Sequence, residues 1–191
     1  MELERIIYLQ NIGKIDQSLL INLKSQIERE LNEFNIRVKI NKDEITLTDS
    51  EYNKSKEQFN ASKILKKIRR NFPNKDIFRI LGILDRDIYS KKYNFVFGLA
   101  NMKSGVALIS LTRLREDYYK KTSVIYRKNE IKKDIEDRIF KEAIHELGHT
   151  FGLIHCNNLC VMRSSNSLKE TDEKPSKFCN SCLKLIKEVF N

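Results

Sequence analysis

Two histidines and a glutamate in the last third of the chain have the spacing of a zinc-binding helix. His145 and His149 are four residues apart, so on a helix both imidazoles point the same way and can bind one ion. Glu146 follows the first histidine and can reach a metal-bound water without binding the metal itself. This H-E-x-x-H pattern arises often by chance, so its surroundings decide whether it is a site.

The residues after this pattern offer a third ligand. Zinc sites are tetrahedral and a straight helix presents one line of donors, so the third ligand must come from another direction. Gly152 can adopt the left-handed conformation that ends a helix, and His155 follows three residues later. The chain has 3 histidines, and all of them belong to this motif. Three histidines leave a position for water, so the motif predicts a catalytic zinc with Glu146 as general base.

All 4 cysteines follow the third histidine. They are Cys156, Cys160, Cys179 and Cys182, a C-x-x-x-C and a C-x-x-C, and both spacings let two thiolates bind one ion. Four thiolates leave no place for water, so they predict a structural zinc. Two disulfides or free thiols are the alternatives. The acidic N-terminal residues carry no export signal, which predicts a cytoplasmic, reducing location and favours zinc.

The whole stretch resembles the archaemetzincins, a family of metzincin zinc peptidases. In that family the third histidine is followed at once by cysteine, as in His155-Cys156, then by C-x-M and C-x-x-C. The chain has Cys160-Val161-Met162 and Cys179-Asn180-Ser181-Cys182, and each of the two intervals is one residue shorter than the family pattern. Three upstream segments are also similar to the family: residues 85–89, 94–98 and 107–113.

The resemblance implies a metzincin-like α/β (α+β) fold with a twisted mixed sheet, an active-site helix, a Met-turn and a C-terminal helix. It places Met162 in the Met-turn beneath the metal, whereas a lone methionine is usually core filler. It also implies two zinc ions, one catalytic and one structural, and a peptide or protein substrate. Because Cys156 adjoins His155, the structural ion would help to hold the third catalytic ligand.

Apolar periodicity predicts the elements that position these residues. We expect one metallopeptidase domain over residues 1–191, with an N-terminal subdomain (1–152) that carries the active-site helix and a small C-terminal subdomain (153–191) with the four-cysteine site. Val106–Leu111 is the predicted edge strand for substrate, and Ser164–Lys177 is predicted to be a surface loop without a large apolar cluster. The predicted strands are Arg5–Leu9, Ile36–Ile40, Glu44–Leu47 (the last two a hairpin or two short strands), Phe78–Leu84, Phe95–Ala100 and Val106–Leu111. The predicted helices start at Asp16, Asn60, Glu130 and Phe178 and end near Phe34, Pro73, Gly152 and Phe190.

The charge of the chain leaves a second class of function open. The net charge is +10, with basic clusters at residues 66–70 and 120–121, so a non-catalytic zinc scaffold that binds protein or nucleic acid is the alternative. Nucleic acid is the less favoured partner, because no aromatic residues interleave with these clusters. Another metal-assisted hydrolysis is a further alternative. No segment has the apolar length of a membrane helix. Tyr118, Tyr119 and Tyr126 are assigned no catalytic role.

Overall fold

The computed structural model describes residues 4–72, 77–119 and 128–190, with side chains in the longest helix from residue 135 onward. Pro73, Tyr126 and the Lys120-Lys121 cluster lie outside the described residues. The described strands are β1 (Arg5–Ile12), β2 (Ile36–Ile40), β3 (Tyr52–Asn53), β4 (Gln58–Asn60), β5 (Arg79–Leu84), β6 (Ile88–Tyr89), β7 (Gly98–Asn101) and β8 (Val106–Ser110). The described helices are α1 (Gln17–Glu30), α2 (Ala61–Asn71), α3 (Lys128–Thr150), α4 (Leu168–Glu173) and α5 (Asn180–Phe190).

The main sheet is mixed, as the sequence predicts. Its strand order is β2-β1-β5-β8-β7, and every neighbouring pair is parallel except β7 with β8. A smaller sheet has the order β3-β4-β6. In β5 successive side chains point to opposite faces: Leu81 and Ile83 pack into one apolar cluster, and Ile80 and Leu84 into the other. The nearly continuous apolar run of the predicted strand Phe78–Leu84 therefore reflects burial on both faces.

Helices cover both faces of the main sheet. The apolar sides of α1, α3 and α5 share one cluster, with Leu23, Ile144 and Ile186 among its buried members. The apolar side of α2, including Ile64 and Ile68, fills the other cluster. The helix starts have the predicted caps, because the side chain of Asp16 accepts from Ser18 N and that of Asn60 from Lys63 N. The long helix α3 thus lies on the sheet with its C-terminal end toward β7 and β8.

The prediction that Val106–Leu111 is an edge strand is wrong. Val106–Leu111 contains β8, which pairs with β5 on one side and β7 on the other. Among the described strands, the sheet ends on this side at β7, whose one partner is β8. A sequence pattern shows that a strand is apolar but not which strands flank it, and β8 is fully buried because it lies inside the sheet.

Two smaller differences from the predictions concern the end of α1 and the segment that follows β2. The helix predicted to reach Phe34 ends at Glu30, followed by a separate turn of 3-10 helix over Asn32–Phe34. In the described structure Ile36–Ile40 and Glu44–Leu47 do not pair as a hairpin: the first is β2, which is parallel to β1, and the second makes a single bridge between Ile45 and Ile12.

The segment after the active-site motif is more ordered than predicted. The predicted loop Ser164–Lys177 contains α4. The C-terminal segment packs into the main core through Phe178, just before α5, and through Cys182 and Ile186 of α5, rather than depending on the cysteines alone. That cluster draws residues from both predicted subdomains, and the division at Gly152 stays a prediction. Among the described residues, none of the helices has the length and apolar character needed to cross a membrane.

Candidate active site and metal centre

The C-terminal end of α3 turns the chain back toward its own histidines. Leu153 N donates to the carbonyl of Gly148 over 3.0 Å, and Gly152 N donates to that of His149 over 3.1 Å. Gly152 has φ +97°, the left-handed conformation that this Schellman motif requires. The helix therefore ends at the predicted glycine. The residues that follow turn back along the side of the helix that carries the histidines.

Backbone carbonyls orient two of the histidine rings. His145 Nδ1 donates to the carbonyl of Val161 over 2.9 Å, and His149 Nδ1 donates to that of Leu153 over 2.8 Å. Each ring therefore presents Nε2 to its neighbour, and the two Nε2 atoms lie 3.2 Å apart. Two nitrogens bound to one tetrahedral zinc lie about 3.3 Å apart, given zinc–nitrogen bonds of about 2.0 Å. The pair fits a shared zinc ion.

His155 completes the cluster from the returning chain. Its ring centroid lies 5.3 Å from that of His145 and 5.0 Å from that of His149, and the ligand nitrogens of all three lie within 4.8 Å of one another. Burial lowers the pKa of His145 to about 4, and burial is also the main cause that lowers the pKa of His155. Neutral imidazole is the form that binds a metal, so these two rings are ready to coordinate at neutral pH.

Glu146 lies beside the histidines with one carboxylate oxygen unpaired. The residue is 5% exposed, and its buried Oε2 has no hydrogen-bond partner. Burial is the largest cause that raises the pKa of Glu146 well above its usual value; the charge of Glu142 adds to this, and that of Lys174 opposes it. An unsatisfied buried oxygen is costly unless a ligand supplies its partner.

A cleft opens over this group. It has a volume of about 590 Å³, and its floor carries the three histidines and Glu146. One wall is the chain from Tyr93 to Ala100, which includes the start of β7, and the other includes Ser164, Asn166 and Lys174. Among the described strands, β7 has no neighbour on its outer side, so its backbone groups there are open to an extended chain.

The edge strand approaches Glu146 so closely that only glycine fits at position 98. A Cβ added to Gly98 would lie 2.6 Å from Glu146 Cγ and 2.7 Å from its Oε1. We therefore expect Gly98→Ala to push the carboxylate aside and to lower kcat for peptide cleavage roughly 10- to 100-fold with zinc content unchanged. Gly105→Ala is the matched control, since it strains a left-handed turn at φ +65° away from Glu146. It should lower the melting temperature but not kcat, and an unchanged kcat for Gly98→Ala would contradict the prediction.

Met162 packs beneath the helix that carries the histidines. Its side chain is fully buried, and its sulfur lies against Gly148, where an added Cβ would collide with it and would lie 3.1 Å from Phe178 Cε1. We expect Gly148→Ala to lower the free energy of unfolding by about 1–3 kcal/mol through overpacking. Chemical denaturation measures this, and adding Met162→Ala should relieve part of the strain, so the two losses should not sum. Additive losses would mean that the two side chains do not compete for space.

The cysteines form a second cluster next to the first. Cys156 Sγ lies 3.8 Å from Cys179 Sγ, and Cys160 Sγ lies 3.7 Å from Cys182 Sγ. Sulfurs bound to one tetrahedral zinc at about 2.3 Å lie about 3.8 Å apart, whereas a disulfide needs about 2.05 Å. All four residues are free cysteines, and their sulfurs lie within 4.8 Å of one another. The donor set fits a closed tetrathiolate zinc site.

The structure brings together every residue that the motif singles out, and it adds some that the sequence did not reveal. Glu142 lies one helical turn before Glu146, a spacing that could have drawn attention to it. Lys174 and Gly98 reach the site from elsewhere in the chain. Gly98 ends the segment 94–98 that resembles the family, but nothing in that segment points to Glu146, and no local pattern marks Lys174. The tyrosines stay without a catalytic role: Tyr118 donates to Asp87 and Tyr119 to the carbonyl of Arg113.

Comparison with known proteins identifies relatives along almost the whole chain. Residues 1–188 match the model of peptidase family M54. An archaemetzincin of Methanocaldococcus jannaschii is 38% identical over 183 residues, which cover 95% of this chain and 93% of the relative. An archaemetzincin of Nanoarchaeum equitans is 36% identical over 181 residues, covering 95% of this chain and 88% of the relative. The crystal structure of a zinc-dependent peptidase from Methanocorpusculum labreanum superposes with a TM-score of 0.79 at 28% identity, covering 94% of this chain and 99% of that one.

Proposed function

Because the chain belongs to peptidase family M54, we propose that it hydrolyses peptide bonds with one zinc ion held by the three-histidine cluster and with Glu146 as the general base. The resemblance to the archaemetzincins is confirmed by the relatives, and the chain is a zinc metallopeptidase. The proposed ligands of the catalytic ion are His145, His149 and His155. One observation carries the proposal: Glu146, whose buried Oε2 has no hydrogen-bond partner, lines the same cleft as these three rings.

In the proposed reaction the zinc ion and Glu146 have different roles. When bound, zinc supplies a Lewis acid that polarises the scissile carbonyl and lowers the pKa of a water molecule. Glu146 accepts a proton from the attacking water and passes it to the departing amine. Burial raises the pKa of Glu146, and a more basic carboxylate accepts a proton from water more readily.

The cleft suggests how substrate is held. We propose that the peptide lies extended along the outer side of β7 and pairs its backbone with that strand, replacing the earlier expectation of Val106–Leu111. The apolar residues of the wall, among them Phe95, Phe97 and Leu99, would contact its side chains.

The cysteine cluster is proposed to bind a second, structural zinc. Cys156 follows His155 directly, and Cys160 precedes Val161, whose carbonyl accepts from His145. An ion held by the thiolates would therefore fix two of the catalytic ligands through the backbone next to them.

A peptide-library digest combined with metal analysis tests this function. We expect about two zinc ions per chain and cleavage of extended peptides. Cleavage should stop with ortho-phenanthroline but not with its non-chelating meta isomer. A chain that holds zinc and cuts no peptide would overturn the proposal in favour of a non-catalytic scaffold.

A further inference from the structure

A buried lysine lines the wall of the cleft and has no part in the chemistry described so far. The side chain of Lys174 is 1% exposed, and its Nζ lies 3.4 Å from Oε2 of Glu142, whose side chain is 6% exposed. Lysine is almost never fully buried unless it is paired, because its ammonium group loses its hydration. Lys174 comes from the C-terminal part of the chain and lines the same cleft as Glu146.

The partner of this lysine is close to the proposed general base. Glu142 and Glu146 are four residues apart on α3, so their side chains project from the same face of the helix. Both residues are 5% exposed, and two buried carboxylates repel each other strongly. The charge of Glu142 and that of Lys174 act on Glu146 in opposite directions. Lys174 therefore supplies the positive charge that balances this acidic pair.

The segment that carries Lys174 is anchored to the same helix. Arg138 of α3 holds Asp172 through two hydrogen bonds, Nε to Oδ1 over 2.6 Å and Nη2 to Oδ2 over 2.7 Å. Lys174 N donates to the carbonyl of Glu170, which closes the end of α4. The backbone of Lys174 is thus fixed relative to α3. The ammonium group of Lys174 is therefore held in a defined position beside Glu142.

We propose that Lys174 is a positioning residue that neutralises Glu142 and thereby keeps the carboxylate of Glu146 directed at the histidine cluster. The inference rests on the proposed role of Glu146 in peptide hydrolysis. Without the ammonium group, Glu142 repels Glu146 and turns it away from the attacking water. A displacement of about 1 Å at a reacting group can cost a hundredfold in rate.

Removing each charge alone and then both together tests this role. With a quenched-fluorescent peptide chosen from the library digest, we expect Lys174→Met to lower kcat about 100-fold, with KM changed less than about threefold. Glu142→Gln should also lower kcat, because Lys174 then pairs with Glu146 instead. The double variant Lys174→Met/Glu142→Gln should recover to within about tenfold of the wild type, since neither repulsion nor mispairing remains. Lys174→Arg, which keeps the charge, should stay within about threefold.

Controls separate this role from a loss of structure. Lys67→Met removes a partly buried ammonium group of α2 that pairs with Glu51 over 3.0 Å away from the cleft, and it should lower stability without lowering kcat. If Lys174→Met does not fold, Glu142→Gln and the double variant decide: the double variant must be the faster of the two. The inference is overturned if the double variant is as slow as the product of the single losses, or if no single variant loses activity. A wild type that cuts no peptide would instead overturn the proposed function.

Discussion

Glu146→Gln is expected to lower kcat for peptide cleavage by about 10³-fold, within the range that general acid–base groups contribute. The amide has nearly the shape of the carboxylate but cannot accept the proton of the attacking water. It does not bind the metal in the proposed arrangement, so zinc content should stay at the wild-type value. Steady-state kinetics on a quenched-fluorescent peptide, combined with metal analysis, measure both quantities.

Two comparisons make this result specific. Glu188→Gln removes an exposed carboxylate of α5 and should leave kcat unchanged. The stability of Glu146→Gln should equal or exceed that of the wild type, because Oε2 is buried without a partner and a neutral amide is cheaper to bury than a charge. Full cleavage by Glu146→Gln with zinc still bound would remove Glu146 from the role of general base.

Cys179→Ala is expected to release one zinc ion per chain and to destabilise the fold by about 4 kcal/mol, or roughly 10 °C in melting temperature for a chain of this size. Structural zinc sites can contribute more in small domains, but here Phe178 and Ile186 also anchor α5 in the main core. The affinity of the remaining site for zinc should fall about 10- to 100-fold, because Cys156 adjoins His155 and supports it.

The control for this variant lies inside the same motif. Ser181 is exposed between Cys179 and Cys182, and Ser181→Ala should change neither zinc content nor melting temperature. Thermal unfolding with and without a chelator measures the contribution of the ion. If Cys179→Ala keeps two zinc ions, or if thiol titration of the unreduced wild type finds no free cysteine, the tetrathiolate zinc site is refuted.

The motif at the end of α3 was readable from the sequence because its determinants are local. The spacing of His145 and His149 follows from helix geometry, and Gly152 marks the turn that returns His155. By contrast, the position of β8 inside the sheet depends on pairing with β5 and β7, which no short segment encodes. The residues that shape the surroundings of Glu146 escaped for the same reason: Gly98 and Lys174 reach it through tertiary contacts.

One wrong prediction, that Ser164–Lys177 is a loop without a helix, could have been avoided from the sequence. Ser167 and Glu170 cap the start of α4 in a variant of the capping box: Ser167 Oγ accepts from Glu170 N, and the Glu170 carboxylate accepts from the N–H of Asn166, one residue before the N-cap. The S-x-x-E pattern was present within the segment predicted to be a loop. Its helix is short and polar, so apolar periodicity did not reveal it, whereas a search for caps would have found it.

The outer side of β7, which has no neighbour among the described strands, restricts which polypeptides the enzyme can use. If substrate docks there as proposed, the cleaved segment must offer unpaired backbone groups over several consecutive residues. A native helix satisfies its own amides, and an interior strand of a folded sheet already has two neighbours. Compact proteins would therefore resist cleavage, while termini, long linkers, small peptides and unfolded chains would be open to it. On this basis the enzyme would act on damaged or already processed polypeptides rather than on intact ones.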